Sequence, residues 1–289
     1  MANLKQIRKR IASVKSTQKI TRAMKMVAAA RLRRAQENIT NLRPYALQTL
    51  ELLSSVAARA GDEEIHPLLA RRDPKRVMLV VLTSDRGLAG AFNANINKAA
   101  YRFINQLKEK ESEVLLCTIG RKGYDFLRRR NIPIQKNFRD IYQKVDSEKG
   151  REIGTTVIQA YSENKLDAVY LVYNEFKSAI SQKVVMEQLL PITPMEGIDA
   201  ASSIDFIYEP NKRALLDTLL PMYVHGEIFR ALLESIASEH GARMTAMDNA
   251  TTNAGEMIDK LTLKLNRARQ AAITKELMEI IGGAEALKG

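Results

Sequence analysis

Two stretches of helical periodicity, one at each end of a 289-residue chain, restrict its fold more than any other feature. Near the C-terminus Met244, Met247, Thr251, Ala254, Ile258, Leu261, Leu265, Ala268 and Ala272 recur in alternating steps of three and four. Such steps place one narrow stripe along a helix, the seam of a coiled coil. The first 60 residues carry apolar residues at similar spacing: Leu4, Ile7, Ile11 and Val14, then Ile20, Met24 and Val27, then Ala35, Ile39, Leu42, Ala46, Leu50 and Leu53. The register shifts between these blocks, which predicts a seam that winds or changes partner along the helix. Residues 1–60 hold no glycine and one proline, Pro44, and Ala28, Ala29 and Ala30 favour helix and admit a close neighbour. At ~1.5 Å per residue this helix would reach roughly 80–90 Å before Gly61-Asp62 ends it, far more than a compact domain needs.

The third segment, residues 210–289, opens at Pro210, a residue suited to a first helical turn. Inside it Pro221 predicts a kink, Gly226, Gly241 and Gly255 weaken an isolated helix, and Gly282-Gly283 weakens or ends it. A helix kept long despite these residues is held by tertiary packing. The two seams are best buried against each other, antiparallel, with Met244, Met247, Ile258, Leu261 and Leu265 toward Ile7, Ile11, Ile20, Met24 and Val27. Whatever lies between is then an insertion at one end.

That middle segment, residues 74–205, reads as an α/β layer. Continuous apolar runs at Val77–Leu82, Val114–Ile119 and Ala168–Tyr173 have strand length, and Val184–Leu190 makes a fourth. Helical patterns at 93–110, 122–130 and 151–164 alternate with them, which predicts a mostly parallel, Rossmann-like sheet.

Charge is unevenly spread. Residues 1–43 contain twelve Lys or Arg and one acid, Glu37, so +11 of the total +12 lies there. A face this basic needs an acidic partner: nucleic acid, anionic lipid or an acidic protein surface. Residues 1–44 contain no aromatic side chain on which bases could stack, and no DNA-reading motif is visible. A basic coiled-coil nucleic-acid-binding protein is therefore the runner-up reading. The Arg-rich start resembles a transit peptide in composition, but the helical pattern runs on past Arg43, and the start at Met1 reads as that of a bacterial protein. A single cysteine, Cys117, excludes a disulfide framework, and no apolar run reaches the length of a membrane span.

Enzyme chemistry finds no foothold. Ser84-Asp-Arg-Gly-Leu-Ala-Gly90 follows a strand and precedes a helix, where phosphate loops lie, but Gly87 and Gly90 lack the spacing of a dinucleotide or P-loop fingerprint. A tight strand-to-helix turn is the reading. His66, His225 and His240 form no metal-like pair, Cys117 sits in an apolar strand, and Asp146 and Glu148 read as a solvated charged loop. No catalytic residue, metal or cofactor is expected.

Three stretches resemble the gamma subunit of F-type ATP synthases: Lys19–Ala30 (KITRAMKMVAAA), Thr83–Asn93 (TSDRGLAGAFN), and the C-terminal run Ala242–Ala250, Asn266–Gln270 and Ile273–Ala284. The last is the most specific, and the likeness covers essentially the whole chain. Many family members have Cys-Gly-Gly where this chain has Ala89-Gly90-Ala91, and the cysteine insert of the chloroplast form is absent. The resemblance implies a non-catalytic central shaft that couples proton-driven rotation of the c-ring to nucleotide states of the beta subunits. Its partners would be alpha, beta and epsilon subunits and the c-ring, with no nucleic acid, and its place the cytoplasmic face of a bacterial inner membrane, peripherally. It further implies beta-subunit contacts at Met24, Lys25, Arg269, Gln270, Thr274 and Glu276, with Arg269 and Gln270 as a polar catch. Ile280, Ile281 and Leu287 would run in an apolar bearing, and Tyr208 and Glu209 would lie near the c-ring and epsilon.

Overall fold

The computed structural model describes residues 4–58, 66–143, 145–193 and 211–286. Among the described residues two long helices, α1 (Leu4–Ala58) and α5 (Lys212–Ala286), flank five strands, three shorter α-helices and one 3-10 turn (Ile141–Gln143). The chain separates into two compact units: residues 1–28 with 244–289, and residues 29–243. Both long helices run through their prolines, Pro44 and Pro221, and α5 continues through Gly282 and Gly283 instead of ending there.

In the first unit the two helices lie antiparallel. Thr21 meets Thr251, their hydroxyls 2.7 Å apart, while Lys25 meets Asp248 at 2.6 Å and Gln18 reaches the Thr251 carbonyl at 3.4 Å. Along α5 the residues 247, 251, 254, 258, 261, 265, 268 and 272 are buried or half-buried, the stripe that the sequence predicts. On α1 the outcome differs. The shielded positions are 4, 7, 11, 14, 18, 21, 24, 25 and 28, an almost unbroken heptad pattern with no shift of register. Ile20 and Val27, expected in the seam, are 58% and 54% exposed. A helix keeps the face set by its first turns, so the seam takes Gln18, Thr21 and Lys25 because they fall on that face, and Ile20 and Val27 fall off it. Hydrogen bonds to α5 make the polar residues acceptable there.

The second unit is built on one five-stranded sheet of β1 (Arg76–Leu82), β2 (Glu113–Ile119), β3 (Ile134–Phe138), β4 (Ala168–Phe176) and β5 (Gln182–Leu190). The spatial order is β3-β2-β1-β4-β5, with all neighbours parallel except the antiparallel β4–β5 pair. The helices are α2 (Phe92–Glu109), α3 (Arg121–Arg128) and α4 (Ser147–Ser162). Alternate residues of β1 serve opposite faces, as strand geometry requires. Val77, Leu79 and Val81 join Ile96, Ala100 and Ile104 of α2, whereas Met78, Val80 and Leu82 join Ile153 and Val157 of α4 and Leu220, Val224 and Ile228 of α5. A sheet covered on both faces explains the continuous apolar runs in its parallel strands. The contact with α5 is close: a Cβ at Gly154 would collide with the His225 ring.

Two local features depart from the sequence reading, and a third, Cys117 in its apolar strand, agrees with it. β3 has no apolar run, since Gln135, Lys136 and Asn137 are its middle, and it pairs as a sheet edge where only one neighbour must be satisfied. Asp146 and Glu148 are the N-cap and first turn of α4, with the Asp146 carboxylate accepting from the Lys149 amide at 3.2 Å, not a solvated loop. Cys117 is buried in β2, and burial pushes its thiol up to about 12.

Candidate functional site

The residues expected to touch partners divide by their place on the helix pair. Met24 and Lys25 lie half-buried on α1 beside α5, and Lys25 is held by Asp248. The pairing runs with α1 numbers rising as α5 numbers fall, and the last shielded residues of α5 are Ala268 and Ala272. From Ile273 to Ala284 every residue is exposed in this chain.

Arg269, Gln270, Thr274 and Glu276 stand at the transition, all on exposed positions of α5. At a turn of 3.6 residues, Arg269 and Gln270 share a face with Ile273, Leu277, Ile280 and Ile281, turned away from the seam. Those four apolar residues are between 49% and 68% exposed, and the stripe follows the i, i+4, i+7, i+8 pattern that elsewhere in proteins is covered. The end of α5 thus presents a polar pair followed by an apolar stripe that no described residue covers. Leu287, Tyr208 and Glu209 lie outside the described residues.

Nearer the middle of the first unit, the floor of a groove is made by Ile7 and Leu261, and Lys9, Arg10 and Lys264 rim it around a volume of about 450 Å³. Residues 5–22 of α1 otherwise turn their lysines and arginines to solvent. Among the described residues no helix is long and apolar enough to cross a membrane, and no cluster of His, Cys, Asp and Glu could hold a metal.

The Ser84–Gly90 loop closes on itself. The Ser84 amide donates to the Asn93 side-chain oxygen at 2.9 Å, and its hydroxyl donates to the Arg86 carbonyl at 2.6 Å. Leu88 and Gly90 both adopt positive φ, near 63° and 54°, which turns the chain sharply into α2. The Arg243 guanidinium fastens the loop to α5 through the Gly87 carbonyl at 3.1 Å.

Sequence reasoning missed the Thr21–Thr251 layer and the partner of Lys25. The signal was present: heptads counted from Ile7 through Ile11 and Val14 lead to Gln18, Thr21 and Lys25, but only if polar residues are admitted to a seam.

A family model described as ATP synthase matches residues 3–287. Gamma chains of ATP synthase from Geobacter sp. strain M21 and Geotalea daltonii are 54% and 52% identical over the whole of both chains, and one from Anaeromyxobacter sp. strain Fw109-5 is 55% identical. Among solved structures, a chain from the central stalk and c-ring of the Tetrahymena thermophila mitochondrial ATP synthase matches with a TM-score of 0.62 and 31% identity. That match covers 80% of this chain and 99% of the other. A rotor chain of the Euglena gracilis enzyme matches in fold, with a TM-score of 0.67 at 18% identity over 93% of this chain and 98% of the other.

Proposed function

The chain belongs to the ATP synthase family, among its gamma chains, and from that premise we propose that it is the central rotor shaft that turns proton-driven c-ring rotation into conformational change at the catalytic subunits. The observation that carries this reading is the exposed end of α5, where a polar pair and an apolar stripe occupy a helix that nothing covers among the described residues. A shaft turning inside a ring of subunits needs such a surface: contacts that form, break and form again at each step.

In this reading the chain performs no chemistry itself. Arg269 offers a planar fork of donors to a carboxylate or carbonyl and Gln270 adds one donor and one acceptor, so together they act as a catch on a beta subunit. In a partly dry cavity each charge-assisted bond is worth about 1.5–3 kcal/mol. That biases one beta subunit's conformation several-fold and still lets the bond break every turn. Thr274 and Glu276 extend this contact, Ile280, Ile281 and Leu287 form an apolar bearing, and Met24 and Lys25 face the acidic lever of beta from α1. Tyr208 and Glu209 approach epsilon and the c-ring. The basic outer face of α1 meets acidic protein surface, and the nucleic-acid reading has no support among relatives that are ATP synthase gamma chains. The complex is membrane-associated, this chain is peripheral to the membrane, and its side is the cytoplasmic face of a bacterial inner membrane.

The test is Arg269→Ala with Gln270→Ala in the assembled complex. Synthesis and hydrolysis should both slow while assembly is kept. Double-mutant complexes that turn over at the parental rate would remove the catch assignment.

A further inference from the structure

The parallel sheet reverses its direction of growth at β1, with β2 and β3 on one side and β4 and β5 on the other. In open α/β sheets the crevice outside the C-terminal ends of the strands at such a switch point is where ligands bind. Here the loops that follow β1 and β3 meet the flanks of α1 and α5, within the unit of residues 29–243, around a cavity of about 620 Å³. That volume lies within the range of small-ligand sites, ~300–1,000 Å³.

The charges on its walls are unequal in availability. Arg243 is committed, to Glu239 at 2.7 Å and to the Gly87 carbonyl. Asp85 is committed as well: it accepts from the Arg121 amide at 3.0 Å and from the Asp140 amide. His240, buried beside Arg243 and Arg31, stays neutral at pH 7. Arg31 and Arg34 on α1 and Arg86 after β1 are exposed and make no hydrogen bond or ion pair within bonding distance among the described residues. Three guanidinium groups from two elements therefore border one concavity with their donors unspent. The rest of the lining is mixed: Leu233 and Ile236 of α5 and Val145 form an apolar part, beside polar Asn38, Asp140 and Tyr142.

We propose that this cavity binds a small phosphate-bearing solute, its oxyanion taken by Arg31, Arg34 and Arg86 and its organic part laid against Leu233, Ile236 and Val145. Guanidinium forks match phosphate oxygens in pairs, and a concave site suits a small anion better than a helix of a partner protein. This is a side-chain site. The backbone cradle of a P-loop or dinucleotide fold is absent from Ser84–Gly90, so the arginines supply what the loop does not. The site takes Arg31 and Arg34 from the basic face of α1 but none of the residues assigned to the catch or the bearing, so loss of anion binding and loss of the catch are distinguishable.

Calorimetry of the full chain with pyrophosphate and with phenyl phosphate tests it. One saturable site per chain is expected, weakened roughly tenfold or more by Arg34→Gln or Arg86→Gln singly and unchanged by Arg102→Gln, an exposed arginine on α2. The weakening should appear in variants whose thermal melts match the parent, since all three positions are exposed. Absence of saturable binding by both probes overturns the proposal, and so does equal weakening by Arg102→Gln, which would mean diffuse attraction to a basic chain. Binding of a poly-glutamate peptide that needs Arg34 and Arg86, with pyrophosphate unbound, would assign the cavity to an acidic protein partner and likewise overturn it.

Discussion

The helix pair of residues 1–28 and 244–289 and the unit of residues 29–243 differ in how many faces each element hides. In the pair, each helix shields one stripe and turns the rest outward. In the larger unit the central strand β1 is closed on both faces, and Val77, Leu79, Val80 and Val81 are fully buried. The residue types follow. The strand interior is aliphatic, whereas the pair admits Gln18, Thr21, Lys25 and Thr251 to its contact line. Stability resides where burial is complete, and surface for partners is left where it is not.

The largest effect separating the two regions is a cavity mutation. Leu79→Ala in β1, where no side-chain surface is exposed, should cost about 2–5 kcal/mol in urea unfolding. Leu261→Ala, half-buried in the seam, should cost no more than about 1–2 kcal/mol, since less apolar area returns to water. Equal costs at the two sites would erase the contrast.

A pH experiment comes next, because all three histidines lie in the larger unit. Burial, with Arg243 and Arg31 nearby, lowers His240 from 6.5 to about 4. The unfolded chain then binds the extra proton between those values, so stability is complete above pH 6.5 and falls as pH drops toward 4. The loss is at most roughly 3 kcal/mol. His240→Gln should flatten that slope. Glu239, whose carboxyl burial raises, works in the opposite direction, so the parent-minus-variant difference is what must be read. An unchanged slope would mean that His240 titrates alike in both states.

Smaller still is the polar layer of the helix pair. The Thr21 hydroxyl also reaches the Gln18 carbonyl at 3.1 Å and that of Thr251 the Met247 carbonyl at 2.7 Å, so each has an alternative within its own helix. A double-mutant cycle with Thr21→Val and Thr251→Val should give a coupling of about 0.5–1 kcal/mol. A coupling near zero would show that the two hydroxyls only happen to be adjacent.

What the sequence made legible tracks the same divide. The α5 stripe was readable position by position because apolar or small residues fill nearly all of it, and β1, β2 and β4 were readable because double coverage demands uninterrupted apolar runs. The α1 seam was misread at Ile20 and Val27, where apolar residues sit on the outer face and polar ones on the inner. Hydrophobicity alone misleads when a helix must also offer an apolar outer surface. β3 was invisible because an edge strand of five residues need not be apolar. The proposed catch at Arg269 and Gln270 and the proposed bearing at Ile280 and Ile281 were reached through resemblance, since no single-chain rule marks a surface whose partner is another subunit. The arginine-lined cavity came from the sheet's strand order, which depends on pairings far apart in sequence.

The smallest stability effect tests the comparison from the other side. Ile280 and Ile281 are 68% and 58% exposed, and no described side chain of this protein covers them. Replacing both with serine removes apolar surface that folding does not bury, so thermal and urea unfolding of the free chain should change by less than about 0.5 kcal/mol. Helix propensity alters little, because isoleucine and serine stand close together on that scale. In the assembled complex the same residues are proposed to slide in an apolar bearing, where each buried side chain is worth about 1.5–3 kcal/mol. Ile280→Ser with Ile281→Ser should therefore weaken retention of the shaft in the catalytic hexamer and lower coupled ATP synthesis, with the free chain as stable as its parent. A free chain destabilised by several kcal/mol would show that the stripe is covered from within. Complexes that retain the shaft and synthesise at the parental rate would show that no bearing grips it.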